Sequence, residues 1–157
     1  MEKGDLVIFD VGCEYNQYVS DVGRTFPVSG EFTERQKEIL EMEVGVSDQI
    51  IEYIRPGITF HDLRKLTDEI IPEEAKPYMQ VGLFFGHHLG LSTGDPNISS
   101  IALQPGMIFT VEPWYYNHDE QISVFTEDMI LVTEKGCEIL NSGLGRTPEE
   151  LELMMKN

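Results

Sequence analysis

Asp10 sits inside the otherwise apolar run Leu6-Val-Ile-Phe-Asp-Val11. A short run of that kind reads as a strand buried on both faces. A carboxylate inside it is costly unless a cation or tight hydrogen bonds compensate. Asp21 lies across what reads as a hairpin, with strand pieces over residues 18–22 and 24–28 and a turn over residues 13–17. Gly12 and Gly23 permit bulges or close approach there. Such a hairpin can set the two carboxylates side by side, where they repel unless a divalent ion lies between them.

Three more residues repeat the pattern. Glu112 ends the apolar stretch over residues 108–111, Glu127 lies within a strand expected over residues 121–132, just before Asp128, and His87 follows Gly86. Taken singly, each is an ordinary turn, cap or packing residue. Together, on four strands, Asp10, Asp21, His87, Glu112 and Glu127 supply four carboxylates and one imidazole. That is a plausible ligand set for two ions about 3.5 Å apart bridged by water or hydroxide. Oxygen donors with one imidazole suit Mn²⁺, Co²⁺, Zn²⁺ or Fe²⁺ better than a thiolate site would.

The rest of the chain supplies the frame. Thr33-Glu-Arg-Gln36 is a capping-box signature. Apolar residues at Ile39, Met42, Val46, Ile50 and Tyr53 follow at helical spacing. Gly45 costs that helix roughly 1 kcal/mol without breaking it, and Pro56-Gly57 ends it. Thr59 caps a second helix with Leu63, Leu66 and Ile70 on one face, ended by Pro72. Residues 81–85, 107–112, 121–132 and 137–140 read as strands. Turns are expected at 94–97, 104–106 and 135–136. Thr147-Pro-Glu-Glu opens a short last helix. Helices grouped between strands predict an α+β fold.

Charge narrows the function classes. The 157 residues carry 11 Lys and Arg against 28 Asp and Glu, a net −17. That excess repels phosphate backbones and anionic membranes, so neither nucleic acid nor a membrane is an expected partner. No apolar run is long enough to span a bilayer, and Met-Glu-Lys-Gly-Asp lacks a signal-peptide core. The two cysteines, Cys13 and Cys137, make no disulfide framework. A reducing, cytoplasmic setting is expected.

Four ordered motifs resemble those of the Xaa-Pro aminopeptidase and prolidase group, within peptidase family M24. They are Asp10-Val-Gly with Tyr18-Val-Ser-Asp21-Val-Gly-Arg24-Thr-Phe-Pro-Val28, Gly86-His87-His-Leu-Gly90, Leu103-Gln-Pro-Gly-Met-Ile-Phe-Thr-Val-Glu112-Pro113, and Thr126-Glu127-Asp128-Met-Ile-Leu-Val-Thr-Glu134-Lys-Gly136. Arg24-Thr-Phe-Pro and Arg146-Thr-Pro-Glu-Glu resemble aminopeptidase P more than methionine aminopeptidase. The resemblance implies the creatinase, or pita-bread, fold, as one catalytic domain over residues 1–157 shortened in its first half. It implies two divalent ions, Mn²⁺ first, one held by Asp10, Asp21 and Glu127 and the other by Asp21, His87, Glu112 and Glu127. A bridging hydroxide would attack the peptide carbonyl before proline, with Glu112 as general base. His88 and Trp114 are the candidate substrate contacts, with a packing role as the other reading of each. The expected partner is a peptide substrate, and the shortened half reads as that of a fragment, of a truncated gene product, or of a minimal form that a homodimer would cover.

The chain departs from the family pattern at three places. Gly94 and Leu83 stand where the family places histidines around the ligand histidine, and Phe125 stands where aminopeptidase P-like members place an arginine. Those groups would steady the tetrahedral intermediate. Losing one such donor costs about 10²–10³ in turnover. The alternative reading is therefore a metal-binding pseudoenzyme of the same fold that binds a peptide or partner. A creatinase-like hydrolase of a small C–N substrate is a further alternative.

Overall fold

Asn16 and Gln17 take positive φ, 50° and 69°, and turn the chain back on itself as a two-residue hairpin loop requires. Around this turn, β2 (Glu14–Tyr15) pairs with β3 (Tyr18–Val19). Outside it, β1 (Leu6–Val11) runs antiparallel to β4 (Val22–Pro27), with Asp10 opposite Gly23. The computed structural model describes residues 1–79, 85–93, 95 and 98–156. The expected turn at 94–97 and the expected strand at 81–85 fall largely outside these residues, as do Leu83 and Gly94.

β1 is not buried on both faces. Phe9 and Val11 are 52% and 57% exposed, and Asp10 is exposed as well. Among the described residues β1 has one strand partner, β4, and only Leu6, Val7 and Ile8 are partly covered.

α1 (Glu34–Tyr53) and α2 (Phe60–Ile70) start at Thr33 and Thr59, each with a reciprocal capping box, to Gln36 and to Asp62. α2 ends because Ile71, ahead of Pro72, is extended. The buried face of α1 runs through Gln36, Ile39, Leu40, Glu43, Val46, Ser47 and Ile50. Its centre is therefore Glu43, which the apolar spacing did not include. Met42 and Tyr53 pack at the rim instead.

The second half departs from the expected strand over 121–132. It divides into β7 (Ile122–Phe125) and β8 (Asp128–Val132), broken at Thr126 and Glu127. β7 pairs with β6 (Trp114–Asn117), an unexpected strand, while β8 lies between β5 (Ile108–Val111) and β9 (Cys137–Ile139). The chain thus changes sheet partners at Glu127. Residues 85–89 run antiparallel beside β5, through Leu89 N to Ile108 O, Thr110 N to His87 O and Glu112 N to Phe85 O. α3 (Pro148–Met154) starts at Thr147 and buries Leu151. The core lies between α1 and the strands, with Leu40, Ile50, Phe109, Val124 and Ile130 fully buried.

Candidate metal centre

Backbone pairing gathers the five residues. Glu127 N donates to Gly23 O at 2.9 Å, which joins the β7–β8 break to the β1–β4 hairpin beside Asp10 and Asp21. Val111 pairs with Asp128, so Glu112 leaves β5 next to Glu127. His87 N donates to Thr110 Oγ1 at 3.0 Å, and Thr110 N returns a bond to His87 O at 2.9 Å.

The side chains converge on the imidazole. His87 Nε2 lies 3.1 Å from Glu112 Oε1, 3.7 Å from Asp21 Oδ2 and 3.9 Å from Glu127 Oε1. Candidate ligand atoms of Asp21, His87 and Glu127 all fall within 4.8 Å of one another. Asp10 acts on the cluster from its exposed edge, where its charge pushes the carboxyls of both Asp21 and Glu127 up.

The electrostatics are those of crowded acids. Burial, then Glu112, Asp21 and Asp10, push Glu127 up to about 9. Burial and Asp10 likewise raise Asp21. His87 rises to about 9, chiefly through its hydrogen bond with Glu112. Glu112 is the exception. Burial pushes its carboxyl up, but hydrogen bonds from His87, Thr110 and Trp114 outweigh that and leave it lowered. Thr110 Oγ1 donates to its Oε1 at 2.8 Å and Trp114 Nε1 to its Oε2 at 3.2 Å.

The arrangement fits divalent ions. The Oε2 atom of Glu127 is buried with no hydrogen-bond partner, a state that a cation relieves. Facing carboxylates with one imidazole are the donors a first-row divalent ion takes.

His88 is not brought into this cluster. Its ring stacks on Phe60 at 4.5 Å and meets Phe109 edge-on. It lines a separate cavity of about 360 Å³ with Tyr18, Asp95 and Met107. Neighbouring side chains in an extended segment point to opposite sides, and His87 has taken the site side. Trp114 does reach the site through its indole N–H, and its ring lies 4.1 Å from that of Phe125. Phe125 is fully buried and packs against Gly23, where even a Cβ would fall 1.9 Å from its ring.

Several supporting residues carried no signal of their own. Thr110 reads as one strand residue among several. Asp128, noted beside Glu127, is no candidate ligand. It is fully buried and pairs with Arg24 at 2.6 Å and Arg146 at 2.7 Å. Arg24 also donates to Glu127 O at 2.6 Å and to Gly23 O at 2.7 Å.

Residues 1–134 match Peptidase_M24, metallopeptidase family M24. The chain belongs to metallopeptidase family M24. This M24 chain is 37% identical over 186 residues to the Xaa-Pro aminopeptidase of Escherichia coli, a match covering 99% of the chain and 42% of that protein. It is 36% identical over 148 residues to the Xaa-Pro dipeptidase of Pyrococcus furiosus, covering 89% and 40%. The structure of aminopeptidase P from E. coli with the inhibitor Pro-Leu superimposes with a TM-score of 0.85 at 32% identity, over 99% of this chain and 42% of that one. The M24 chain therefore spans about two fifths of these relatives' length, and over that span its α+β fold is the pita-bread fold of aminopeptidase P. No described helix is long and apolar enough to cross a membrane.

Proposed function

We propose that this chain carries a dinuclear metal centre that hydrolyses the peptide bond preceding proline. The observation behind this reading is the convergence of Asp21, Glu112 and Glu127 on His87 Nε2, with a buried Glu127 oxygen left unpartnered. Relatives described as Xaa-Pro aminopeptidase and Xaa-Pro dipeptidase support the substrate class. Asp10, Asp21 and Glu127 would hold one ion, and Asp21, His87, Glu112 and Glu127 the other, with Mn²⁺ first among the candidates. Two such ions supply Lewis acidity and lower the pKa of water toward neutrality.

The chain's own residues do the rest. Glu112 is held ionised by hydrogen bonds from His87, Thr110 and Trp114, the state a proton acceptor needs, and Thr110 and Trp114 orient it. Its Oε2 takes the proton, and the Trp114 indole N–H fixes where that oxygen points. The exposed part of the indole meets the incoming peptide.

One observation favours a second reading, a metal-binding pseudoenzyme. Phe125 is sealed between Gly23 and Trp114, so that position offers no donor to an oxyanion. Purified chain with added Mn²⁺, assayed on Xaa-Pro dipeptides and longer Xaa-Pro peptides, decides between them. Cleavage before proline is expected. Bound metal without cleavage selects the pseudoenzyme.

A further inference from the structure

Glu43 lies outside the ligand set, at the centre of the buried face of α1, and is 0% exposed. An apolar side chain would serve the core better there, because a buried carboxyl group is costly without compensation. The compensation falls on one oxygen, since Oε2 is buried with no hydrogen-bond partner. Glu43 Oε1 accepts a 2.8 Å hydrogen bond from the backbone N–H of Thr126.

That N–H belongs to the residue just after β7, where the chain begins to change sheets, so no strand ladder of β6–β7 or β5–β8 includes it. The next residue is Glu127. Its own backbone is pinned on both sides, N–H to Gly23 O and C=O to Arg24 Nη1. Three consecutive anchors thus fix the Glu127 backbone, and α1 supplies the first of them.

We infer that Glu43 is a positioning residue for the metal centre, holding the Thr126–Glu127 junction from α1 so that the Glu127 carboxylate faces Asp21 and His87. This rests on the metal-centre reading proposed above. Glu43 acts as a hydrogen-bond acceptor. An amide oxygen can replace it and a hydrocarbon cannot.

The test compares the full chain with Glu43→Gln and Glu43→Leu. Mn²⁺ affinity is read by titration calorimetry, and backbone exchange at Thr126 by hydrogen–deuterium exchange of the metal-free protein. Glu43→Gln is expected to bind Mn²⁺ close to wild type and keep Thr126 protected. Glu43→Leu is expected to bind Mn²⁺ about 10–100-fold more weakly, the usual cost of losing a group that orients a ligand, with faster exchange at Thr126. If Glu43→Leu does not fold, Glu43→Asp replaces it, being one methylene too short to reach the same N–H. Wild-type affinity in the folded Leu or Asp variant overturns the assignment, and so does equal weakening in Gln and Leu. A wild-type chain that binds no Mn²⁺ overturns the metal-centre reading, and with it Glu43's role there. Tight wild-type binding with an indifferent Leu variant overturns the positioning role alone.

Discussion

Glu127 and Asp128 are adjacent and both buried, but the groups facing them differ. Asp128 meets two guanidinium groups and the Asn141 amide. Glu127 meets other carboxylates and a single imidazole. Asp128→Ala takes the carboxylate partner from the buried Arg24, while Arg146 keeps Asp48, so it should cost about 3–5 kcal/mol, read by urea denaturation. Glu127→Gln replaces a carboxyl that must keep its proton to stay buried among the other acids, and the amide needs none. It should leave the metal-free protein at least as stable as wild type, while abolishing tight ion binding by calorimetry. Trp114, the chain's single tryptophan, bonds to Glu112 and so reports on it. Zn²⁺ should change its emission in the wild type and leave it unchanged in Glu112→Gln. The candidate ligand acids were legible in the sequence because each lies in, or just after, a short stretch that reads as a strand. Glu43 was not, since a helical acid looks solvated until its long-range partner, the Thr126 N–H, is known.

At the level of elements, the helices were legible because their signals are local. Thr33 with Gln36 and Thr59 with Asp62 close their boxes within four residues. The break at Thr126–Glu127 was not legible, because it arises when β7 pairs with β6 and β8 with β5. These pairings are non-local, and the polar run Thr126-Glu127-Asp128 does not by itself tell a strand end from a polar stretch inside one strand. β6 was missed for a related reason, since Trp114–Asn117 gains strand character only by pairing with β7. Two glycines test this level. Gly45 sits inside α1 with nothing within 4 Å of an added Cβ, so Gly45→Ala should stabilise by about 0.5–1 kcal/mol. A Cβ at Gly23 collides with the Phe125 ring, so Gly23→Ala should lower the melting temperature. The Phe125→Ala background should lessen that loss.

Across the whole molecule, crowded acids couple stability to pH. Glu127 is raised from 4.5 to about 9, Glu43 from 4.5 to about 8, chiefly by burial, and His87 from 6.5 to about 9. Each binds its proton more tightly folded than unfolded. The stability each contributes is complete below the unfolded value and is lost as pH rises toward the folded one. The metal-free protein should therefore lose thermal stability from about pH 5 to about pH 9. Divalent ions replace the protons, so the stabilisation by added Mn²⁺ should grow over the same window. Melting curves with chelator and with Mn²⁺, taken across this range, check both statements. A metal-free protein that gains stability toward pH 9 would contradict the crowding described for the site.

On the reading proposed above, Asp10, Asp21, His87, Glu112 and Glu127 form one dinuclear centre. It is tested most directly by counting the Mn²⁺ bound to purified chain and to its Asp21→Ala variant at equilibrium. Two ions per wild-type chain and neither in Asp21→Ala are expected, because Asp21 would serve both. A wild type that binds no ion, or an Asp21→Ala variant that keeps two, would contradict it.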